Sequence, residues 1–555
     1  MKTVLRILLL LVLLAVAAIA GYFFIEVDSE EREVLSFVPA DFIYAIESDR
    51  PTGDWQDLSK TDVWQYLKGN AYFSDLTESA DYLDSLLQEN DLLVNLVKLG
   101  DLTISAHTTQ RGDYDFLILI DLLGKGSKLP KLKPVMVQLF KNLEYEVRTD
   151  TYFNIDLYHL YDAETKETLV LSAVDNVMII SYTEALVKKA IEQSEKVSLA
   201  ELEDFQLVRG RTDRDELYTL YLNYERLDEY MGIYTNEVPE MLVGLEDVVT
   251  YSAFDLKITD DEVDLDGYLK QKDSVASYLN VFKDVGKGST RAGLILPSNT
   301  ATFTSLGFED FANLYRKFDA QYESSDPEGY KTLASSRKLI ENRLKIEFER
   351  DFFDWMTDEV VTAIVPKDTT GKEYAYYAML HFDDFSYAKE RLNYVTKRIG
   401  KTPVKFEELD YQGYTIKYLK LKGFFNLFFK KLFAKIEKPH FTFVDDYVVF
   451  SNDTTSLQVM IDAYLAQDVL DQQESFEDFT GEFDRRFNVF TYINSQHFYG
   501  YLNSSLDAET SRDLRKNREY MLSFPQIGFQ ISPAAGMYEA KMKAEFVKPE
   551  EPSDH

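Results

Sequence analysis

The sequence predicts an α+β fold. It is a tandem duplication of one module with a largely antiparallel sheet and packed helices, preceded by one N-terminal transmembrane helix. Three observations predict it. A strand–turn–strand–helix pattern occurs twice, beginning at Leu171 and at Phe441. Further matched segments flank each occurrence in the same order. An uncharged apolar run opens the chain.

In each copy of the pattern, apolar β-formers flank a short polar pair, Asp175-Asn176 or Asp445-Asp446. That is the mark of a hairpin. Thr183 and Asp453 stand where a helix N-cap belongs. Val187, Ala190 and Ile191 then match Leu457, Met460 and Ile461, at the i, i+3, i+4 spacing of one helical face. An offset of 270 positions separates Asp175 from Asp445 and Ile191 from Ile461.

Each copy opens on a proline turn into a strand, at Phe37–Ile46 and at Ile295–Phe303. Helices are expected over Thr77–Lys98 in the first copy, and over Phe308–Tyr322 and Tyr330–Arg350 in the second. Strands follow at Leu102–Thr108 and Val360–Pro366, with partners at Asp115–Leu122 and Tyr374–Phe382. Next come helices at Val135–Leu143 and Tyr387–Arg398. Tyr152–Tyr158 matches Tyr411–Lys417 at an offset of 259, so about eleven residues are inserted before the second hairpin. Tyr221-Leu222-Asn223 matches Tyr492-Ile493-Asn494, and closing strands are expected at Tyr251–Ile258 and Val263–Leu269, then at Ile527–Ser532 and Met537–Phe546. One such match is common; a preserved series argues for duplication. The expected organisation is an anchor or signal segment over 1–27, repeats over 28–286 and 287–547, and a tail over 548–555, with Lys287-Gly288-Ser289-Thr290 as linker. No series of Gly-rich βαβ crossings is present, which excludes a doubly wound nucleotide fold.

The Val38-Pro39-Ala40-Asp41 opening, the Ile346–Glu359 segment and the Asp-Asn or Asp-Asp hairpin with its helix together resemble a bacterial membrane-anchored envelope family catalogued only as a domain of unknown function. The first copy departs from the Asp351–Glu359 pattern, with Glu89–Asp101 in its place. The resemblance implies location and architecture. It brings no catalytic residues.

At the N-terminus Lys2 and Arg6 precede Ile7–Ile25, which is free of charge. Its nineteen residues span about 28 Å as a helix, close to the hydrocarbon thickness. Glu26, Asp28, Glu30, Glu31 and Glu33 follow. This asymmetry predicts a single-pass inner-membrane protein with its N-terminus in the cytoplasm and its bulk extracytoplasmic, in the periplasm. Ala18-Ile19-Ala20 offers a signal-peptide cleavage site, but Gly21–Ile25 carries the apolar run past it, which favours an uncleaved anchor.

The 555 residues carry 60 basic and 95 acidic side chains, a net charge of −35. Such a surface repels phosphate backbones, so nucleic acid is not an expected partner. With no cysteine, disulfides, thiolate metal sites and cysteine nucleophiles are excluded. The histidines, His107, His159, His381, His440, His497 and His555, show no pair at metal-ligand spacing. There is no Gly-x-Ser-x-Gly elbow. Gly124-Lys125-Gly126-Ser127 lacks the phosphate-loop spacing. Glu262–Gly267 begins like a calcium loop, yet its acids alternate with apolar residues as in a strand. The sequence therefore points to no catalytic, cofactor-binding or metal residues, and to no cofactor.

The insertion differs from its surroundings. Gly423–Ile436 contains no acid, and Phe424, Phe425, Phe428, Phe429, Leu432 and Phe433 form one broad helical face beside Lys430 and Lys431. Lys125–Lys141 is a second acid-free basic window. Aromatics beside lysines suit a lipid interface or an apolar partner, or a helix packed on its own domain with its lysines reaching solvent.

The expected function is that of a non-catalytic envelope scaffold, or a binder of a protein or lipid partner. The alternative is a carboxylate-dependent hydrolase of envelope polymers, which requires two facing carboxylates. Fractionation checks the location: the full-length chain is expected in the membrane fraction, with N-terminal sequencing reading Met1-Lys2 and not Gly21.

Overall fold

A computed structural model describes residues 32–70, 100–110, 113–121, 146–163, 166–213, 216–227, 229, 248–272, 278–368, 371–400, 407–418, 433, 435–505 and 510–549. The expected leader, the helices at Thr77–Lys98 and Val135–Leu143, the Lys125–Lys141 window and the last residues of the tail lie outside these. No helix among the described residues is long and apolar enough to cross a membrane. The chain divides into two compact units, Met1–Asp273 and Ser274–His555.

Unit 1 contains β1 (Tyr44–Ser48), β2 (Leu102–Gln110), β3 (Asp113–Asp121), β4 (Glu146–Tyr152), β5 (Ile155–Tyr161), β6 (Thr168–Val174), β7 (Val177–Ser181), β8 (Tyr218–Asn223), β9 (Val249–Ile258) and β10 (Glu262–Gln271). Its ladders are antiparallel and run in the order β4-β5-β6-β7-β3-β2-β1-β8-β9-β10. Unit 2 contains β11 (Thr302–Gly307), β12 (Glu359–Pro366), β13 (Tyr374–His381), β14 (Glu407–Tyr411), β15 (Tyr414–Tyr418), β16 (His440–Val444), β17 (Tyr447–Ser451), β18 (Val489–Asn494), β19 (Gln526–Ala534) and β20 (Met537–Glu545). Its order is β14-β15-β16-β17-β13-β12-β11-β18-β19-β20, again antiparallel. The α+β class holds in both units.

The registers match as well as the order. In unit 1 Tyr44 faces Ala106 and Leu222, Leu102 faces Ile120, Asp121 faces Val177 and Tyr158 faces Leu171. In unit 2 Thr302 faces Ile364 and Ile493, Val360 faces Leu380, His381 faces Tyr447 and Lys417 faces Phe441.

The two hairpins are β6–β7 and β16–β17, closed by two-residue loops. Asp175 and Asp445 take φ of +52° and +49° there, the left-handed region that Asp tolerates better than most residues. The following helices are Glu184–Gln193 and Thr454–Ala466, and Val187, Ala190, Ile191, Leu457, Met460 and Ile461 are all buried. Their caps differ. Asp453 accepts from the Ser456 amide at 2.8 Å. Thr183 holds the cap position without a side-chain cap bond; its hydroxyl donates to Asp115 at 2.7 Å instead.

Each face of the unit 2 sheet packs a hydrophobic layer. Val360, Leu380 and Val448 join Phe308, Phe311, Phe352 and Trp355 on one side. Val361, Met379 and Val449 join Leu457, Met460, Ile461 and Phe476 on the other. Central strands buried on both faces read as unbroken apolar runs, as β17 does. The helix expected over Tyr330–Arg350 ends at Leu344, where Lys345 turns left-handed with φ +56°. A π-helical turn, Glu349–Phe353, follows. It places Asp351 in the interior, where the Glu347 amide donates to it at 2.9 Å and Arg350 at 3.0 Å. Burial pushes this carboxyl up, but Arg350, the Glu347 amide and Arg391 outweigh it and hold the group below the usual range. Gly288, in the expected linker, is bridged to Phe487 within unit 2.

The turn geometry gives a direct test. Asp445→Val places a β-branched residue at φ +49° and is expected to cost about 1–2 kcal/mol. Asp445→Gly is expected to cost nothing or to stabilise slightly, read as the midpoint of urea unfolding.

Candidate functional site

Strands β18, β19 and β20 end together in unit 2, and the chain closes over that end with short helices. Asn494 closes β18, Gln526 opens β19 and Glu545 closes β20. The helix Glu474–Gly481, with the turn Leu470–Gln472 before it, covers one side. The helices Ser495–Ser505 and Arg518–Leu522 border the other. A cavity of about 530 Å³ remains, lined by Ser298, Leu470, Gln473, Ser475, Phe476, Tyr492, Asn494, Gln496, Arg518, Leu522, Pro525, Gln526 and Glu545.

Its floor is firm and its rim is polar. Leu470, Phe476, Tyr492 and Gln526 are buried. Phe476 and Tyr492 meet edge to face at 4.9 Å, a preferred aromatic geometry. Gln526 is the hub: it accepts from the Tyr492 hydroxyl at 3.0 Å and donates to the Ser475 carbonyl at 2.9 Å and to Glu545 at 2.7 Å. Burial pushes the Tyr492 hydroxyl far above its usual range, so it stays a neutral donor. Ser298 donates to Asp468 at 2.5 Å. Arg518 lies over the Tyr499 ring at 5.6 Å. Gln473, Asn494 and Gln496 complete a lining rich in carboxamides.

The lining offers hydrogen-bond donors and acceptors around an aromatic floor. Glu545 is the one carboxylate among the lining residues, and its partner is a neutral amide. No lining serine, threonine or lysine has a lining histidine as base. Unit 1 shows how the position can be filled. There the residue opposite Asn223 is Tyr251, where unit 2 has Gln526 opposite Asn494. The Tyr251 ring stacks on Phe42 at 6.1 Å.

A second polar cluster has the outline of a nucleophilic triad. Ser105 and His107 lie two apart on β2, with the hydroxyl 2.9 Å from Nε2. Nδ1 of His107 faces Asp41 at 3.7 Å, beyond a hydrogen bond, and Lys189 pairs with Asp41. Ser105 and His107 are both wholly buried, so no substrate reaches the hydroxyl. The cluster anchors the Val-Pro-Ala-Asp turn to the sheet. His107 and Lys189 hold the Asp41 carboxyl well below its usual range against burial. Burial pushes the His107 imidazole down, with Asp41 acting in the opposite sense.

In the other unit, Glu359 is fully buried and pushed up by that burial. It accepts from Ser305 at 2.6 Å, from the Arg291 amide at 3.2 Å and from the Tyr447 hydroxyl. These partners are structural, since the group has no access to solvent.

Of the residues singled out in the insertion, Phe433 is 2% exposed and packs with Ile436 in a core layer of unit 2. Phe424, Phe425, Phe428, Phe429, Lys430, Lys431 and Leu432 lie outside the described residues. Glu262–Gln271 is β10, paired along β9, and Lys257 binds Glu262 and Asp264. Sequence reasoning missed the cavity. Its side chains come from seven elements and the loops between them, so no local pattern in the sequence gathers them. The repeated Tyr221 and Tyr492 triplets were the one available signal.

Comparison with known proteins finds a family similarity over part of the chain. Residues 130–376 match the family described as "Protein of unknown function (DUF3352)". This is a domain-of-unknown-function family, as the sequence resemblance implied. The match runs from unit 1 into unit 2. No curated protein matches the chain. A solved structure titled "Structure of crystal form I of TP0453" aligns with a TM-score of 0.24 and 8% identity, covering 45% of this chain and 82% of that chain. A likeness at that level carries no argument here.

The His107 cluster sets a pH dependence. Its folded pKa lies below the ordinary value of about 6.5, so below that pH the unfolded chain binds more protons. The stability it contributes is present above about pH 6.5 and is lost as pH falls. Urea midpoints measured at about pH 7.5 and about pH 5.5 are expected to drop between the two in the wild type and to drop less in His107→Gln.

Proposed function

We propose that this chain is a membrane-anchored, extracytoplasmic protein that works by binding, and that its unit 2 cavity takes an extended segment of a partner protein in the cell envelope. The carrying observation is the lining itself. Gln473, Asn494, Gln496 and Gln526 surround a buried aromatic floor, and carboxamides offer the paired donors and acceptors that a peptide backbone needs. Arg518 at the rim supplies a fork for a carboxylate. A hydrolase of envelope polymers would need a second carboxylate facing Glu545, and none is among the lining residues.

The location rests on the leader read from the sequence: Ile7–Ile25 spans the membrane, and the acidic bulk stays outside it. The anchor is thus the membrane contact, with nucleic acid excluded by charge. The shared strand order and register of the two units support a tandem duplication from one module. On this reading the second copy keeps an open cavity where the first packs Tyr251. The protein is a scaffold with one specialised arm and no enzymatic role.

Photo-crosslinking in intact cells tests this. A crosslinking amino acid at the exposed position Gln496 is expected to capture envelope protein, and Arg518→Glu is expected to reduce that capture at least tenfold, a loss of about 1.4 kcal/mol or more. Hydrolysis of an envelope polymer by the purified chain, abolished in Glu545→Gln, would overturn the reading.

A further inference from the structure

Arg32, where the described chain begins, is fixed to unit 1 by both its backbone and its side chain. Its amide donates to the Asn176 carboxamide oxygen at 2.7 Å, and the Asn176 N–H donates back to the Arg32 carbonyl at 2.9 Å. Its guanidinium pairs with Asp175 at 2.8 Å and donates to the Ser194 carbonyl at 2.7 Å. The chain thus enters at the C-terminal end of the helix Glu184–Gln193, beside the β6–β7 turn. Residues 26–31 separate Ile25 from Arg32, a reach of at most about 25 Å even when fully extended.

The same helix end carries an apolar tip. The Tyr152 hydroxyl donates to Glu192, on the turn of helix that Ser194 ends. Phe153, in the tight turn between β4 and β5, stands edge to face on Tyr152 at 4.6 Å and is 72% exposed. Val197, just past Ser194, is 62% exposed. Phe153 also takes φ +49°, where hairpin turns favour Asn, Asp or Gly over a bulky ring. Folding alone gives no reason to keep an aromatic side chain both exposed and strained.

Unit 2 supplies the comparison. Its matching turn has Gln412 at φ +50°, and that carboxamide donates to Asp462 on the following helix at 2.6 Å. Beyond the helix, Gln467 and Asp468 stand where unit 1 has Val197. Both positions are polar in the copy that carries no leader and apolar in the copy that follows it. Charge near the tip is balanced within the protein. Lys188 pairs with Glu184 at 2.6 Å, and Lys196 with Glu192 at 3.8 Å.

We infer that the Tyr152–Phe153 turn and Val197 form a lipid-contact site that seats this end of unit 1 in the interfacial zone of the bilayer. The inference rests on the reading of Ile7–Ile25 as a membrane anchor. Aromatic rings favour the headgroup boundary, where the ring leaves water and a hydroxyl stays wet. The short tether holds the tip at high effective concentration beside the bilayer, so a small apolar patch suffices where a free domain would need a larger one. With its neighbouring charges already paired, the contact works by apolar insertion and is insensitive to salt.

The chain has no cysteine, so Val197→Cys gives a single site for an environment-sensitive fluorophore. The labelled full-length chain is reconstituted into phosphatidylcholine vesicles that contain a lipid with a quencher at the top of its acyl chain. Quenching at Val197 is expected to be unchanged by added salt and at least about twofold stronger than for a label at Gln412→Cys. Phe153→Gln, which copies unit 2, is expected to reduce it at least about twofold, and Phe153→Leu to retain it. Circular dichroism establishes that each variant is folded. A chain that fails to float with the vesicles would sink the anchor reading and this inference together. A chain that floats while the Val197 label stays unquenched leaves the anchor standing and overturns the lipid contact. Equal quenching at Gln412, or quenching that Phe153→Gln leaves unchanged, overturns it as well. So does a photo-crosslinker at Phe153 that captures an envelope protein in intact cells, which would make the tip a protein contact.

Discussion

A strand in either unit has almost no freedom to slip. β7 and β17 are buried along their whole length, and their neighbours carry different side chains to the two faces. A shift by one residue would exchange those faces throughout the pair. The hairpin turns hold the register, since two residues with Asp in the left-handed region close each loop. The helices that follow lock it from outside. Ala190 and Ile191 in one unit, and Met460 and Ile461 in the other, leave no room for an alternative pairing beneath them.

With the frame fixed, chemistry is decided at the strand ends, where the backbone no longer dictates the neighbour. The same register point carries Tyr251 in unit 1 and Gln526 in unit 2. A ring there packs against Phe42, and a carboxamide leaves a lined cavity. The other end of the sheet behaves alike. Glu47 and Asp49 stand on β1 and just beyond it where Ser305 and Gly307 stand on β11. One unit therefore concentrates negative charge where its counterpart places a hydroxyl and a glycine.

A chain with a net charge of −35 must decide where its acids go. Most remain at the surface, where water screens them. The buried ones are held by specific partners, because an unpaired buried carboxylate costs several kcal/mol. Asp351 has Arg350, Arg391 and a backbone amide. Asp41 has Lys189. Glu359 is surrounded by hydroxyl and amide donors and pushed toward its neutral form. Each ties a turn or strand end to the layer behind it.

The sequence by itself determined the strands, the hairpins and the order in which they follow. Those signals are local: alternation in Val263–Leu269, the Asp pairs between apolar runs, and the repeated Val187 and Leu457 faces. Local periodicity survives folding because it is the condition for burying one face. Boundaries shifted where a local conformation intervened, as at Lys345, whose left-handed turn ends a helix that the pattern extended to Arg350. Tertiary structure alone decided the cavity at Gln526 and the carboxylate group at Glu47, Asp49 and Asp101. Asp101 immediately precedes β2, dozens of positions after Glu47 and Asp49, the cavity lining runs from Ser298 to Glu545, and among 95 acidic residues no spacing singles these groups out. Only the pairing of β1 with β2, and of β18 with β19, brings them together. Such pairing depends on long-range contacts, which a one-dimensional pattern does not encode.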